Sequence, residues 1–213
     1  MNPKNLLIIF VKNLIHGKVK TRLAKTIGHE AALNIYKQLI TLTQKETQNL
    51  STTRHIYYSQ EIENSLWVND EKFIQQGNDL GEKMQNAFQN GFNQGYENII
   101  IIGSDLPNIS RDIINSGFDK LNNKDLVFGP ADDGGYYLLG MSKMTNSVFE
   151  DKPWSQGSLL KVTLNELDQQ ERSFSLLDTL NDIDTYEDLI TSDFYKTNQR
   201  IQEIIEEFTS TTN

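Results

Sequence analysis

The chain has no cysteine among its 213 residues. That excludes disulfides, thiolate metal sites and a cysteine nucleophile, and it suits a reducing cytoplasm, the expected location. No apolar run approaches the roughly 18 residues that a membrane-spanning helix requires. Leu6 to Val11 is apolar but stops at Lys12. It lacks a small-residue cleavage pattern and reads as a first strand rather than a signal peptide. Positive charge is in the minority: 20 Lys and Arg against 29 Asp and Glu leave a formal net charge of −9. Such a surface repels phosphate backbones, so nucleic acid is not an expected partner. Repeats, low-complexity blocks and Pro/Gly/Ser linkers are missing too, so one domain over 1–213 is the simplest organisation. A mean hydropathy of −0.51 fits a globular chain, and the length suffices to bury a substantial core.

The scarce positive charge is concentrated. Lys12, Lys18, Lys20, Arg22 and Lys25 all follow the first apolar run closely. Gly17 allows close backbone approach, lysine supplies a point charge and arginine a two-pronged donor. These are the means of holding phosphate oxygens, although the spacing matches neither a P-loop nor G-x-G-x-x-G. A solvated basic turn would look the same.

Asn98-Ile-Ile-Ile-Ile-Gly-Ser-Asp105-Leu-Pro107 is the most telling stretch. Four successive β-branched residues predict a strand buried on both faces, as in a parallel sheet covered by helices. Pro107 forces a turn. Asp105 therefore emerges at the carboxyl end of a buried strand, where open α/β sheets bind ligands. A carboxylate fixed there suits a divalent cation; the alternative is a residue that only begins the turn.

A third stretch runs Asp125 to Tyr137 and contains Gly-Pro-Ala-Asp132-Asp133-Gly134-Gly135. Its glycines leave backbone open to a ligand, and its carboxylates could accept from hydroxyls or take a proton. Turn chemistry alone explains it equally well. In Asp182-Ile-Asp184-Thr-Tyr-Glu187, Asp184 and Glu187 have the spacing of a helix start. Trp154, flanked by Pro153 and Ser155, is either packing or a lid.

Periodicity predicts strands at Asn5 to Val11, Arg54 to Ser59, Lys72 to Gln76, Asn98 to Gly103, Asp125 to Gly129, Gly135 to Met141 and Ser173 to Leu177. Helices are predicted from about His29 to Thr47, after a loop reaching Arg22, then from Asp79, from Ser110 to Leu121, and from Ser158 to Leu167. A further helix is predicted to start at Asp184, and a terminal one covers about 194–209. Ile62 to Val68 is ambiguous, with a helical turn as one possibility. The alternation argues for a mostly parallel sheet with helices on both faces.

Lys12 to Ala24, Gly77 to Met84, Gly103 to Pro107, Gly129 to Gly140, Pro153 to Ser155 and Asp182 to Leu189 together resemble the ordered motifs of the DUF2064 family. These are bacterial glycosyltransferase-like proteins with the GT-A, or nucleotide-diphospho-sugar transferase, fold. The chain departs from the family at Leu14 and His16, which replace prolines, at Leu106, often a cysteine, and at Asp132, usually not acidic. The last point makes Asp133 the stronger catalytic candidate.

The resemblance implies a single-domain α/β three-layer sandwich, with the C-terminal helix packed on it. It implies a glycosyltransferase that moves a sugar from a nucleotide-diphospho-sugar donor to a small acceptor, using Mg²⁺ or Mn²⁺. Lys12, Lys20, Arg22, Asp79 and Gly81 would bind the nucleotide. Asp105 and Asp184 would hold the metal. Asp133 would be catalytic, and Gly134, Gly135 and Trp154 would contact substrate. A nucleotidyltransferase releasing pyrophosphate, or a catalytically silent nucleotide-binding protein, are the alternatives on the same fold.

Overall fold

Four consecutive isoleucines set the middle of the molecule. In the computed structural model, which describes residues 4–211, they lie in strand β4 (Asn98–Gly103). Ile99 and Ile101 enter the core on one face of the sheet, and Ile100 and Ile102 enter the core on the other. Burying each stabilises by about 1.5–3 kcal/mol, so the end of β4 is firmly anchored.

β1 (Asn5–Val11), β2 (Thr53–Tyr58), β3 (Glu71–Ile74), β5 (Leu126–Pro130), β6 (Tyr136–Met141) and β7 (Phe174–Leu176) complete a seven-stranded sheet in the order 3-2-1-4-6-5-7. Every neighbouring pair is parallel except those made by β6, which runs antiparallel to both β4 and β5. One face carries α1 (Thr21–Thr47), α3 (Arg111–Leu121), α5 (Tyr186–Thr191), α6 (Asp193–Lys196) and α7 (Gln199–Thr211). The other carries α2 (Leu80–Asn93) and α4 (Leu159–Gln169). This is the expected single-domain α/β three-layer sandwich; the expected unit of 1–213 runs past the described residues at both ends. Among those residues no helix is long and apolar enough to cross a membrane.

Some boundaries differ from expectation. α1 begins at Thr21, well before His29, with a break at Gly28 (φ 76°, ψ 159°). Leu23, Ala24 and Ile27 make a buried stripe ahead of that break, which the surrounding charges and the glycine obscure in sequence. Residues 62–68 form no helix, only bends and a turn around a buried Trp67. Thr185, not Asp184, caps α5, in a reciprocal capping box with Asp188. The C-terminal region is divided between α6 and α7, and α7 packs on α1 through buried Ile201, Ile204 and Ile205.

Candidate active site

Because only β6 is reversed, the carboxyl ends of the six other strands and the start of β6 meet at one edge. A cavity of about 360 Å³ opens there. Its polar wall includes Lys12, Tyr36, Ser104, Asp105, Asp133 and Asp182. Its apolar wall includes Phe10, Met84, Tyr136, Leu139, Trp154 and Leu159.

The basic segment reaches this edge through α1. Lys20 sits at the N-cap of α1 in a left-handed conformation (φ 46°, ψ 46°), an unfavourable choice for a residue with a Cβ. Its ammonium is almost fully buried and donates to Asp105 Oδ2 at 3.1 Å. Burial opposes ionisation of Asp105, but the Lys20 and Lys12 ammoniums and the Lys20 hydrogen bond outweigh it. They hold the carboxyl below its usual range. Arg22, on the first turn of α1, donates to Asp184 Oδ2 at 2.7 Å, with the arginine largely exposed and the aspartate partly so.

Tyr36 and Asn13 fix the loop between β1 and α1. The Lys12 backbone N–H donates to Tyr36 Oη at 2.9 Å, and the same hydroxyl shares a hydrogen bond with Ser104 Oγ at 2.8 Å. Burial, and secondarily Asp105, raise the Tyr36 pKa far above its ordinary value, so the phenol stays protonated. Asn13 accepts from Ser59 Oγ and the Gln60 N–H and donates to the Glu61 carbonyl. The loop after β1 is thereby tied to the loop after β2.

Asp182 arrives from the other side. The β5–β7 ladder continues as a bridge between Ala131 and Leu180, which runs the following segment beside the β5–β6 hairpin. Asp188 then accepts from the backbone N–H groups of Asp184 and Thr185 at 3.1 and 2.7 Å and sets the turn. Asp182 is partly buried. That burial, opposed by Lys20 and reinforced by the Asp105, Asp184 and Asp133 carboxylates, lifts its pKa to about 6.

At the hairpin tip, Asp133 is exposed and accepts from the Gly135 N–H with Oδ1 at 2.9 Å, which commits one of its oxygens. Gly134 (φ 85°) lies beneath the tip: a Cβ there would stand 2.0 Å from the Gly157 carbonyl oxygen. The Gly134 carbonyl also accepts from the Leu160 N–H at 3.0 Å. The hairpin and the 153–158 loop are therefore locked together. That loop brings Trp154 onto the start of α2, where a Cβ on Gly81 would stand 2.6 Å from the indole. Asp79 caps α2 by accepting from the Glu82 N–H.

Of the residues singled out in the sequence, Lys12, Asp105, Asp133, Gly135 and Trp154 line the cavity. Lys20 reaches it through Asp105. Arg22 and Asp184 pair with each other, Asp79 caps a helix, and Gly81 and Gly134 make room for Trp154 and Gly157. Sequence reasoning passed over Asp182, Tyr36, Ser104 and Tyr136. Asp182 lay within a recognised motif, but its importance comes from charges far away in the chain.

Among the described residues, no set of three or more carboxylate or imidazole groups is gathered closely enough to hold a cation alone. A Mg²⁺-type ion is commonly held by one or two carboxylates together with substrate phosphates. Asp105 and Asp182, crowded together on the polar wall, match that requirement.

The fold is an α/β one of the kind seen in nucleotide-diphospho-sugar transferases, with its cavity at the carboxyl edge of the sheet. The chain belongs to the DUF2064 family, described as an uncharacterized protein conserved in bacteria, whose profile matches residues 42–156. No curated protein matches it. A crystal structure from Desulfovibrio desulfuricans G20, named as a candidate nucleotide-diphospho-sugar transferase, is 26% identical with a TM-score of 0.84, covering 97% of this chain and 98% of that one. A cytidylyltransferase from Leptospira borgpetersenii is 15% identical with a TM-score of 0.53 (96% and 97% covered). A CMP:2-keto-3-deoxy-manno-octonic acid synthetase complexed with CTP is 7% identical with a TM-score of 0.54 (88% and 96% covered). These last two share the fold.

Proposed function

We propose that the protein is a cytoplasmic, metal-dependent transferase that moves a sugar from a nucleotide-diphospho-sugar to a small acceptor. One observation carries this: the concentrated positive segment of an acidic chain pairs with carboxylates from two distant motifs, and Lys12, Asp105 and Asp182 from these three stretches line one cavity. Lys20 pairs with Asp105, and Arg22 pairs with Asp184. Lysine and arginine beside a carboxylate pair form a receptor for a diphosphate and its cation. The D. desulfuricans protein supports the donor class.

Lys12, Lys20 and Arg22 offset the charge of the diphosphate. Asp105 and Asp182 would hold Mg²⁺ or Mn²⁺, with Asp184 beside them. When bound, the cation supplies concentrated positive charge where the leaving diphosphate gains negative charge. The firm anchoring of β4 and the Tyr36–Ser104 bond keep the Asp105 end of the site in place before substrate arrives. Asp133, exposed on the hairpin, accepts the proton of the attacking acceptor hydroxyl. Asp79 and Gly81 shape the nucleoside side at the head of α2, and Gly134, Gly135 and Trp154 shape the acceptor side.

The test is a melting-temperature screen of nucleoside diphosphates and their sugars, with Mn²⁺ or EDTA. One nucleotide should raise the melting point, and more so with Mn²⁺. Asp105→Ala should abolish the Mn²⁺-dependent part. If no nucleotide stabilises the protein, the proposal falls. Pyrophosphate release from a nucleoside triphosphate would reassign the site to nucleotidyl transfer, which the shared fold does not separate from sugar transfer.

A further inference from the structure

Lys152 carries a buried charge that the proposed chemistry leaves unused. Its side chain is only 1% exposed. The ammonium donates to Glu166 Oε2 on α4, and to the Glu150 carbonyl at 3.0 Å. Stability alone does not account for such a pair, because apolar side chains of similar volume often serve a fold as well.

What the pair holds is the segment that follows it. Trp154, Ser155, Gln156 and Leu159 come next in the chain, and all four line the cavity. Asp151 and Ser155 both have left-handed backbones (φ 52° and 62°). Residues with a Cβ keep that conformation only where their surroundings hold it. The far end of the segment is held by the Gly134–Gly157 contact and by the Leu160 N–H on the Gly134 carbonyl. The near end is held by Lys152, reaching across to the second half of α4. Between these two attachments the indole of Trp154 lies on Gly81 at the head of α2.

Building on the transferase proposal, we infer that Lys152 is a positioning residue. Through its ion pair with Glu166 it sets Trp154 in the cavity wall, where the indole meets the substrate. The shape of the acceptor side is then governed by a charge pair that stands behind the wall.

Acrylamide quenching of tryptophan fluorescence tests this. The chain has two tryptophans. Trp67 is buried and Trp154 is half-buried, so the quenchable emission reports Trp154. Lys152→Met keeps an unbranched apolar stem, and Glu166→Ala keeps a good helix former on α4. Each should raise the quenching constant severalfold by freeing the segment locally. The double variant should rise no further than either single one, because both break the same contact. Gly81→Ala, which unseats the indole directly, should give the same rise with Lys152 in place. Trp67 should stay protected throughout. Unchanged quenching in the Lys152 and Glu166 variants would overturn the inference. So would exposure of Trp67 together with Trp154, which would make the pair a support of the whole fold. If Lys152→Met does not fold, Glu166→Ala decides, since its partly exposed site tolerates truncation. No nucleotide enters this experiment. A negative nucleotide screen beside the expected quenching removes the transferase and leaves Lys152 setting Trp154. A positive screen beside unchanged quenching removes the role of Lys152 and leaves the transferase.

Discussion

Lys20 Nζ lies 3.1 Å from Asp105 Oδ2, joining residues 85 positions apart in the chain. Lys20 makes this contact from a left-handed backbone, so the ion pair and the strained turn at the head of α1 are one feature.

The two contributions separate by mutation. Lys20→Ala and Lys20→Gly both remove the ammonium, but only glycine adopts φ 46° without strain. Lys20→Gly should be more stable than Lys20→Ala by about 1 kcal/mol in urea melts. Both should lose nucleoside diphosphate affinity alike. Equal stabilities would show that the backbone at residue 20 stores nothing.

Asp182 predicts a gain of stability from a damaged site. Its carboxylate is ionised at neutral pH against burial and three neighbouring carboxylates. Asp182→Asn should stabilise the metal-free protein by about 1–3 kcal/mol near pH 7.5 in EDTA. It should also reduce the Mn²⁺-dependent shift given by a nucleoside diphosphate. Destabilisation in EDTA would count against the crowding of carboxylates.

His55 governs part of the acid limb. Its imidazole is fully buried, packs against Phe73 and Tyr96 at 4.9 and 5.5 Å, and has no hydrogen-bond partner among the described residues. Burial pulls its pKa below 6.5, while Glu71 and Asp70 pull back in part. As pH falls through 6.5 the unfolded chain takes up a proton that the folded chain refuses, so stability is full above that point and declines below it. His55→Phe should make the decline shallower between about pH 7 and pH 5 in urea titrations. An unchanged slope would show that His55 is protonated in the fold.

The hairpin lock is tested by comparing two glycines. Gly134 and Gly95 have similar φ values of 85° and 82°, but a Cβ meets the Gly157 carbonyl at the first and nothing within 4 Å at the second. Gly95→Ala should cost only the left-handed penalty of about 1 kcal/mol. Gly134→Ala should cost upwards of about 2 kcal/mol and weaken acceptor-side binding. Equal costs would mean that the hairpin and the 153–158 loop are not locked.

Much of the frame is legible in the chain. The isoleucines of β4 announce a doubly buried strand because no other arrangement hides four adjacent apolar side chains so readily. The positions of Asp79 and Ser110 mark their helices because each side chain accepts a backbone N–H three residues on. α1 is harder to read: the turns before Gly28 carry their apolar residues among Lys20, Arg22 and Lys25, and a glycine with positive φ interrupts the period. Thr185 outcompetes Asp184 as a cap because Asp188, not Glu187, closes the box. The reversal of β6 is local, because the loop from Ala131 to Gly135 is too short for a parallel crossover from β5. Its place between β4 and β5 is set by antiparallel pairing with both strands, which nothing nearby in the chain announces. Asp182 matters for what surrounds it, which no spacing along the chain conveys.

Inserting β6 against the grain of the sheet gives the cavity one wall made of a hairpin turn, where the opposite side is built from strand ends leading into helices. A turn of that kind can lengthen, shorten or exchange side chains while the strands behind it keep their register. Under the proposed function, relatives could therefore diverge in the acceptor they take by rewriting the few residues around Asp133, with the rest of the scaffold left intact.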